Sequence, residues 1–435
     1  MEKQKKEFYS KLQVAGSIRF TVGEESDEFI SLNKPKLTNN EKFSHNLATI
    51  LAKKKEVVAV SLTTYPNSCI INISKNNNWL KEDYHYINKI KEYLIKISNY
   101  KCMSWEEALD KDETMDLAVS IMAYCSERFK SRFNKLKGDI KDGKNSQYIK
   151  SFIKYASNSV NINDSKENPF IISKVCCYYY KKVSKVINIT DIPKKFLKHL
   201  KKVGSYMRSL IKITNCACNE KFKVLFANIE LNILKSIVTH QPIYSWKHII
   251  EEFISASMKY KDFKNACLGD KIKADKIALI YGSVENLEYE SIKNCVYLHA
   301  EMNILNEIIN QKKKTRVYIA VSKKCCYLCE LCIKFAQKQG YNILISGMHK
   351  KIYNLWKLPS PTDVTFISNF LTYAINELNQ IIQEEVNNFS ESLLPEFDSD
   401  ESSMNSDEIM VDDEEHNIFI ETKLQHYYFS KNILD

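Results

Sequence analysis

The sequence predicts a mixed α/β protein, a sheet with parallel strands between layers of helices, joined to a large and mainly helical segment. Three observations predict it. Residues 56–74, EVVAVSLTTYPNSCIINIS, place β-branched runs on both sides of a Tyr-Pro-Asn-Ser turn, which reads as a β-hairpin. Between residues 79 and 260 apolar side chains recur at three- and four-residue spacing with little strand signal, which reads as helices. From residue 299 onward the order is helix, strand, helix, strand with short connections, the signature of crossover units.

In chain order, residues 1–38 show no sustained pattern. Residues 41–55, EKFSHNLATILAKKK, predict a short amphipathic helix with Phe43, Leu47 and Ile50 or Leu51 on one side. Strands near 56–63 and 68–74 form the hairpin. LKEDYHYINKIKEYLIKI, the stretch from Ser104 to Leu136, NEKFKVLFANIELNILKSIVTH and SWKHIIEEFISASMKY all read as helical, with Ser104 and Glu107 forming a capping box. KDGKNSQ and NINDSKENP read as loops. KIALIYGSV suggests a strand, and VYLHAEMNILNEIIN a strand end entering a helix. RVYIAVS is a strand by its alternation. A helix follows to Gly340, which sits where a C-terminal cap belongs, and YNILIS is another strand. Residues 365–386 predict a final amphipathic helix. The acidic, Ser-rich stretch beyond it has the composition of a disordered tail, with NIFIET a stray edge strand.

The chain has 435 residues, room for two or three domains or for one domain with a large insertion. It is 44% apolar, as a globular protein requires, and contains no run of about 18 apolar residues to span a bilayer. The N-terminal stretch is basic but has no apolar h-region. Thirteen cysteines, irregularly spaced and twice adjacent, do not resemble a secreted disulfide framework. A cytoplasmic location with reduced thiols is expected, and export as an effector is compatible with the same sequence. The net charge of +10 is unevenly spread: residues 384–435 carry 15 Asp/Glu and two Lys, leaving the first 383 at +23. A basic body suits a polyanion such as nucleic acid. With 58 Lys and five Arg, an ordinary solvated lysine surface explains it equally well.

The chemistry is concentrated in SKKCCYLCELC, residues 322–332, where Cys325, Cys326, Cys329 and Cys332 fall together. Two cysteines at i and i+3 at a helix start share one face, and the positive helix end favours thiolate and metal. The pairs 326/329 and 329/332 both satisfy that spacing. A tetrahedral zinc site needs more ligands, and His299 at the start of the preceding helix is the nearest nitrogen. Strands entering from one sheet edge would let the two helix starts face each other. Three protein ligands leave a fourth position open, the arrangement of catalytic zinc. Glu301, two residues from His299, is placed to move protons beside a zinc-bound water. His-x-Glu on one helix and Cys-x-x-Cys on the next is the signature of zinc-dependent base deaminases.

On His299-Ala300-Glu301, Ser322-Lys323, Cys326-Tyr327-Leu328-Cys329 and GMHKKIYNLWKLP at 347–359, the chain resembles the cytidine-deaminase-like zinc deaminase superfamily, specifically its Orientia/fungal-type nucleic acid deaminases. That group has Ser-Lys-x-x-Cys-x-x-Cys in place of Pro-Cys-x-x-Cys. The motif region covers about 70 residues, and the early stretch 46–62 resembles the family's start. The resemblance implies a cytidine-deaminase-like α/β/α sandwich and a Zn2+ cofactor held by His299, Cys326 and Cys329. Glu301 would be the proton shuttle, and the substrate a nucleic acid or nucleotide. It sets the cysteine register, leaving Cys325 and Cys332 outside the site. Candidate substrate contacts are Asn76 after the second strand, Ser322 and Lys323 beside the pocket, and His349 with Lys350 after the fourth strand. Tyr353 or Trp356 could stack on a base, with core packing an equal reading for Trp356.

The implied organisation is a segment 1–39, a first part of the deaminase fold at 40–78, a helical insertion at 79–270, the deaminase core at 271–386 and the tail at 387–435. The rival division is a separate helical N-terminal domain with its own hairpin. The expected function is hydrolytic deamination of cytosine or adenine, with toxin or effector action compatible. The alternative is a catalytically idle zinc-stabilised scaffold or nucleic-acid-binding protein. An intact Glu301 speaks against that alternative.

Overall fold

The computed structural model describes residues 1–22, 37–101, 103–158, 168–185, 192–254, 258–290, 292–345 and 347–392. Most of the acidic tail, with NIFIET, lies outside them. In chain order the first elements are α1 (Glu2–Ile18), α2 (Asn39–Ile50), β1 (Val58–Thr64) and β2 (Cys69–Lys75). A run of helices follows: α3 (Lys81–Ser98), α4 (Trp105–Leu109), α5 (Asp112–Tyr124), α6 (Ser126–Asp142), α7 (Gln147–Ala156), α8 (Pro169–Val183), α9 (Lys194–Val203), α10 (Ser205–Cys218) and α11 (Glu220–Ala227). Next come β3 (Ile229–Ile233), β4 (Val238–Ile243), α12 (Trp246–Glu251), α13 (Tyr260–Gly269) and α14 (Lys271–Tyr281). The last are β5 (Ile292–Tyr297), α15 (Ala300–Asn310), β6 (Val317–Val321), α16 (Tyr327–Lys338), β7 (Ile343–Ile345) and α17 (Val364–Ser392).

Five strands form one mixed sheet in the order β3–β2–β1–β6–β7, and β4 with β5 forms a separate two-stranded sheet. β1 is antiparallel to both β2 and β6, while β2–β3 and β6–β7 are parallel. The hairpin turns where Tyr65 N–H donates to Ser68 O at 2.9 Å. Strand alternation divides the core into two. Val58, Val60, Ile71, Ile73, Tyr318 and Ala320 face the helical body and α2. Ala59, Val317, Ile319 and Val321 face the opposite way, toward α15, α16 and α17. A period of two on a strand with both faces covered produces this division. The architecture is mixed α/β with a large helical region, as the sequence predicted.

Four sequence expectations change. The patternless N-terminus contains α1, in which every residue from Phe8 to Ile18 is buried. A helix enclosed on all sides has no polar face, so no amphipathic stripe marks it. KIALIYGSV is not a strand but belongs largely to α14, which Asp270 caps by accepting from Ile272 and Lys273 N–H. Short apolar runs do not separate helix from strand by periodicity. NEKFKVLFANIELNILKSIVTH is helical only through Ala227; the rest supplies β3 and β4. β3 joins the main sheet along β2, so the segment 79–270 is not wholly outside it. The stretch from Ser104 to Leu136 breaks into α4, α5 and α6, although the capping box at Ser104 and Glu107 forms as expected. Gly340, φ +83°, follows α16 in the left-handed conformation its position requires.

Candidate metal centre

His299 and Cys326 are the N-cap residues of α15 and α16. Each holds its helix start through its own carbonyl, which accepts from Asn303 N–H in one case and Glu330 N–H in the other. The Cys326 sulfur turns toward Cys329 of its own helix. α15 packs on β1, β2 and β6 and touches α16, which brings the two starts together. The strand entering α15 is not part of the main sheet, contrary to expectation: β5 pairs with β4. Helix packing, rather than a shared sheet edge, makes the juxtaposition.

At this meeting point His299 Nδ1 lies 3.3 Å from Cys329 Sγ and 3.5 Å from Cys326 Sγ, and the two sulfurs are 3.4 Å apart. Among the described residues this trio is the group of His, Cys, Asp or Glu side chains able to share a metal ion. The His299 ring stacks on Tyr297 at 5.4 Å and meets Tyr353 edge-on at 6.0 Å, which fixes its plane. Cys332 faces the core at 0% exposure, and burial pushes its thiol up. Of the two cysteine spacings, the pair 326/329 is therefore the one that meets the histidine. Cys325 is held by backbone instead, its N–H donating to Gly347 O and its carbonyl accepting from His349 N–H.

The buried groups of the cluster perturb one another. Burial raises the Cys326 thiol, but its hydrogen bond with Cys329 and the charge of His299 outweigh that and leave it well below its usual value. Cys329 goes well above, through burial and through that same hydrogen bond. Burial lowers His299, yet the Cys326 charge prevails and the imidazole is raised. Glu301 is 2% exposed, and burial raises its carboxyl over the opposing pull of His299. Its Oε2 is buried with no hydrogen-bond partner among the described residues. A buried carboxylate oxygen left unpaired is costly unless a ligand completes it. Two thiols and an imidazole are a three-ligand donor set that leaves a fourth position open, so the residues fit zinc, with the Glu301 oxygen beside them and not among the ligands.

Two of the other sequence candidates bond to the start of β1. Asn76 Oδ1 accepts from Val57 N–H at 2.8 Å, and Ser322 Oγ accepts from Val58 N–H at 3.0 Å. His349 is 9% exposed, and its Nδ1 accepts from Lys351 N–H at 3.1 Å. Lys323 is half-buried beside the cluster's loop. Lys350 pairs with Glu330 at 3.0 Å. Trp356 is fully buried and is no stacking platform: its Nε1–H donates to Cys329 Sγ at 3.1 Å. Sequence reasoning missed that contact, and it missed Asn303, whose Nδ2 donates to Ser74 Oγ and Lys235 O. A polar residue recurring on an otherwise apolar helix face is the signal that could have found Asn303. For the tryptophan contact the sequence holds none.

A model of a deaminase-like family, OTT_1508_deam, matches residues 298–360. No curated protein and no solved structure matches the chain. The matched stretch contains His299, Glu301, Cys326 and Cys329 together with the loop that carries Trp356, and over it this chain is similar to a deaminase-like family.

Proposed function

We propose that the chain is a zinc-dependent hydrolase that deaminates a nucleobase, cytosine or adenine, in nucleic acid or in a nucleotide. The observation that carries this reading is the convergence of His299, Cys326 and Cys329 beside a buried carboxyl oxygen of Glu301 that has no hydrogen-bond partner among the described residues. Those three residues would hold zinc, which when bound would supply Lewis-acid activation of a water. Glu301 would take a proton from the attacking water at Oε2 and return it to the departing amino group. Overall, a C–O bond forms at the amino-bearing carbon, the C–N bond breaks and ammonia leaves. The raised carboxyl of Glu301 suits a group that must both take and return a proton. Asn76 offers its Nδ2 to substrate, its Oδ1 being committed to Val57, and Ser322, Lys323 and His349 form the framework of the rim.

A second reading, an idle zinc-stabilised scaffold, is favoured by enclosure: Cys326, Cys329 and Glu301 are each 2% exposed or less. One experiment separates the two. The purified protein is incubated with DNA, RNA and nucleotides containing cytosine or adenine, and conversion is read by mass and by ammonia. Glu301→Gln, nearly isosteric and unable to accept the proton, should keep zinc and fold while turnover drops on the order of 10²–10⁴-fold or more. Wild-type turnover by Glu301→Gln on any substrate found would refute the deaminase assignment.

A further inference from the structure

Trp356 lies at the centre of a set of contacts that its neighbours make with the cluster. Its backbone forms a bridge with Tyr297, two residues before His299: Tyr297 N–H donates to Leu355 O at 2.9 Å, and Lys357 N–H donates to Tyr297 O at 3.0 Å. Its ring meets Phe8 of α1 edge-on at 5.9 Å and lies tilted against Phe370 of α17 at 6.3 Å. The segment before it is clamped by α1. Gln13 Nε2 donates to Asn354 O at 2.7 Å, and Asn354 Nδ2 donates back to Gln13 O at 3.1 Å. Gly16 makes room for this, since a Cβ there would stand 2.4 Å from Asn354 Nδ2. The indole is therefore fixed on several sides, and its single polar atom points at one sulfur of the trio.

Resting on the metal-centre reading above, we propose that Trp356 is a positioning residue of that centre: its Nε1–H orients the Cys329 sulfur and stabilises it as a thiolate ligand. A hydrogen bond to a charged acceptor is roughly twice as strong as one to a neutral acceptor. The indole N–H therefore gains most when Cys329 carries charge, that is, when a cation is bound. Outer partners of metal ligands act in this way elsewhere. A buried indole N–H also needs some acceptor for stability alone. A test must read something that mere packing would leave unmoved.

The probes are zinc and cobalt(II), titrated into the full chain under reducing conditions. Trp356→Phe removes the N–H. Replacement of Trp356 by benzothienylalanine removes it while keeping the ring's shape, and covers the case in which phenylalanine unfolds the core. Zinc affinity by chelator competition should fall about 10- to 100-fold in either variant. The cobalt–thiolate charge-transfer band should move to lower energy, because a sulfur lone pair relieved of a hydrogen bond lies higher. A folded variant with wild-type affinity and an unmoved band overturns the role of Trp356 and leaves the metal centre standing. A wild-type chain that takes up neither metal overturns both.

Discussion

At the residue scale, the site depends on which of four neighbouring cysteines meets His299. Cys326 and Cys329 lie 3.5 and 3.3 Å from its Nδ1, while Cys332, one further turn along α16, faces the core. Positions i and i+3 share a helix face, and i+6 has drifted well off it. Cys326→Ser, Cys329→Ser and His299→Ala should each lose bound zinc, measured as metal per chain after dialysis, whereas Cys332→Ser should retain it. Retention by Cys326→Ser with loss by Cys332→Ser would reverse the register. The spacing left both pairs open, and the family resemblance pointed to the pair that the structure brings together. Trp356 had no such signal, because a tryptophan in an apolar stretch reads the same whether its N–H meets a sulfur or a carbonyl.

At the element scale, a buried ion network ties β2 to α3. Lys75, 1% exposed, donates to Asp83 at 2.6 Å and to Glu56 at 2.9 Å, and Tyr124 donates to Asp83 at 2.8 Å. Burial raises the Asp83 carboxyl, but hydrogen bonds from Lys75, the Leu80 amide, Lys53 and Tyr124 prevail and bring it from 3.8 to about 2. Its folded value is depressed, so the stability it contributes is fully present above pH about 4 and is lost as pH falls toward 2. Lys75→Met removes the cation shared by two buried carboxylates, although Asp83 keeps Lys53, and should destabilise the fold by about 3 kcal/mol at neutral pH. The deficit, followed by urea unfolding, should shrink on acidification through that window. A pH-independent deficit would show that the lysine contributes through packing and not through charge. The same scale explains why the sequence misplaced α1 and α14. Their boundaries depend on what surrounds them, not on a stripe.

At the scale of the whole molecule, residues far apart in sequence share one sheet: β1 pairs with β6, joining residues 59–60 to 320–321. We propose that 40–78 and 271–386 form one discontinuous unit into which 79–270 is inserted. Amides of β1 and β6 should then exchange with solvent through the same opening event, with equal opening free energies under native conditions. A β1 that exchanges orders of magnitude faster than β6 would favour the rival, a separate N-terminal domain. Among the described residues no helix is long and apolar enough to cross a membrane.

What the sequence determined by itself was local: the hairpin around Tyr65–Ser68, the capping box at Ser104, the glycine stop at Gly340, and the His-x-Glu and Cys-x-x-Cys spacings at two helix starts. Each rests on contacts within a few residues, where backbone preference and side-chain type suffice. Only the tertiary structure decided that β3 adds to the β2 edge, that α1 clamps the loop bearing Trp356, and that β5 belongs to a separate sheet. It also decided that Asn76 and Ser322 each accept from a β1-side amide. Those outcomes depend on which distant surfaces meet. Strand edges, all-round burial and amide acceptors are alike in many pairings, and packing alone selects among them.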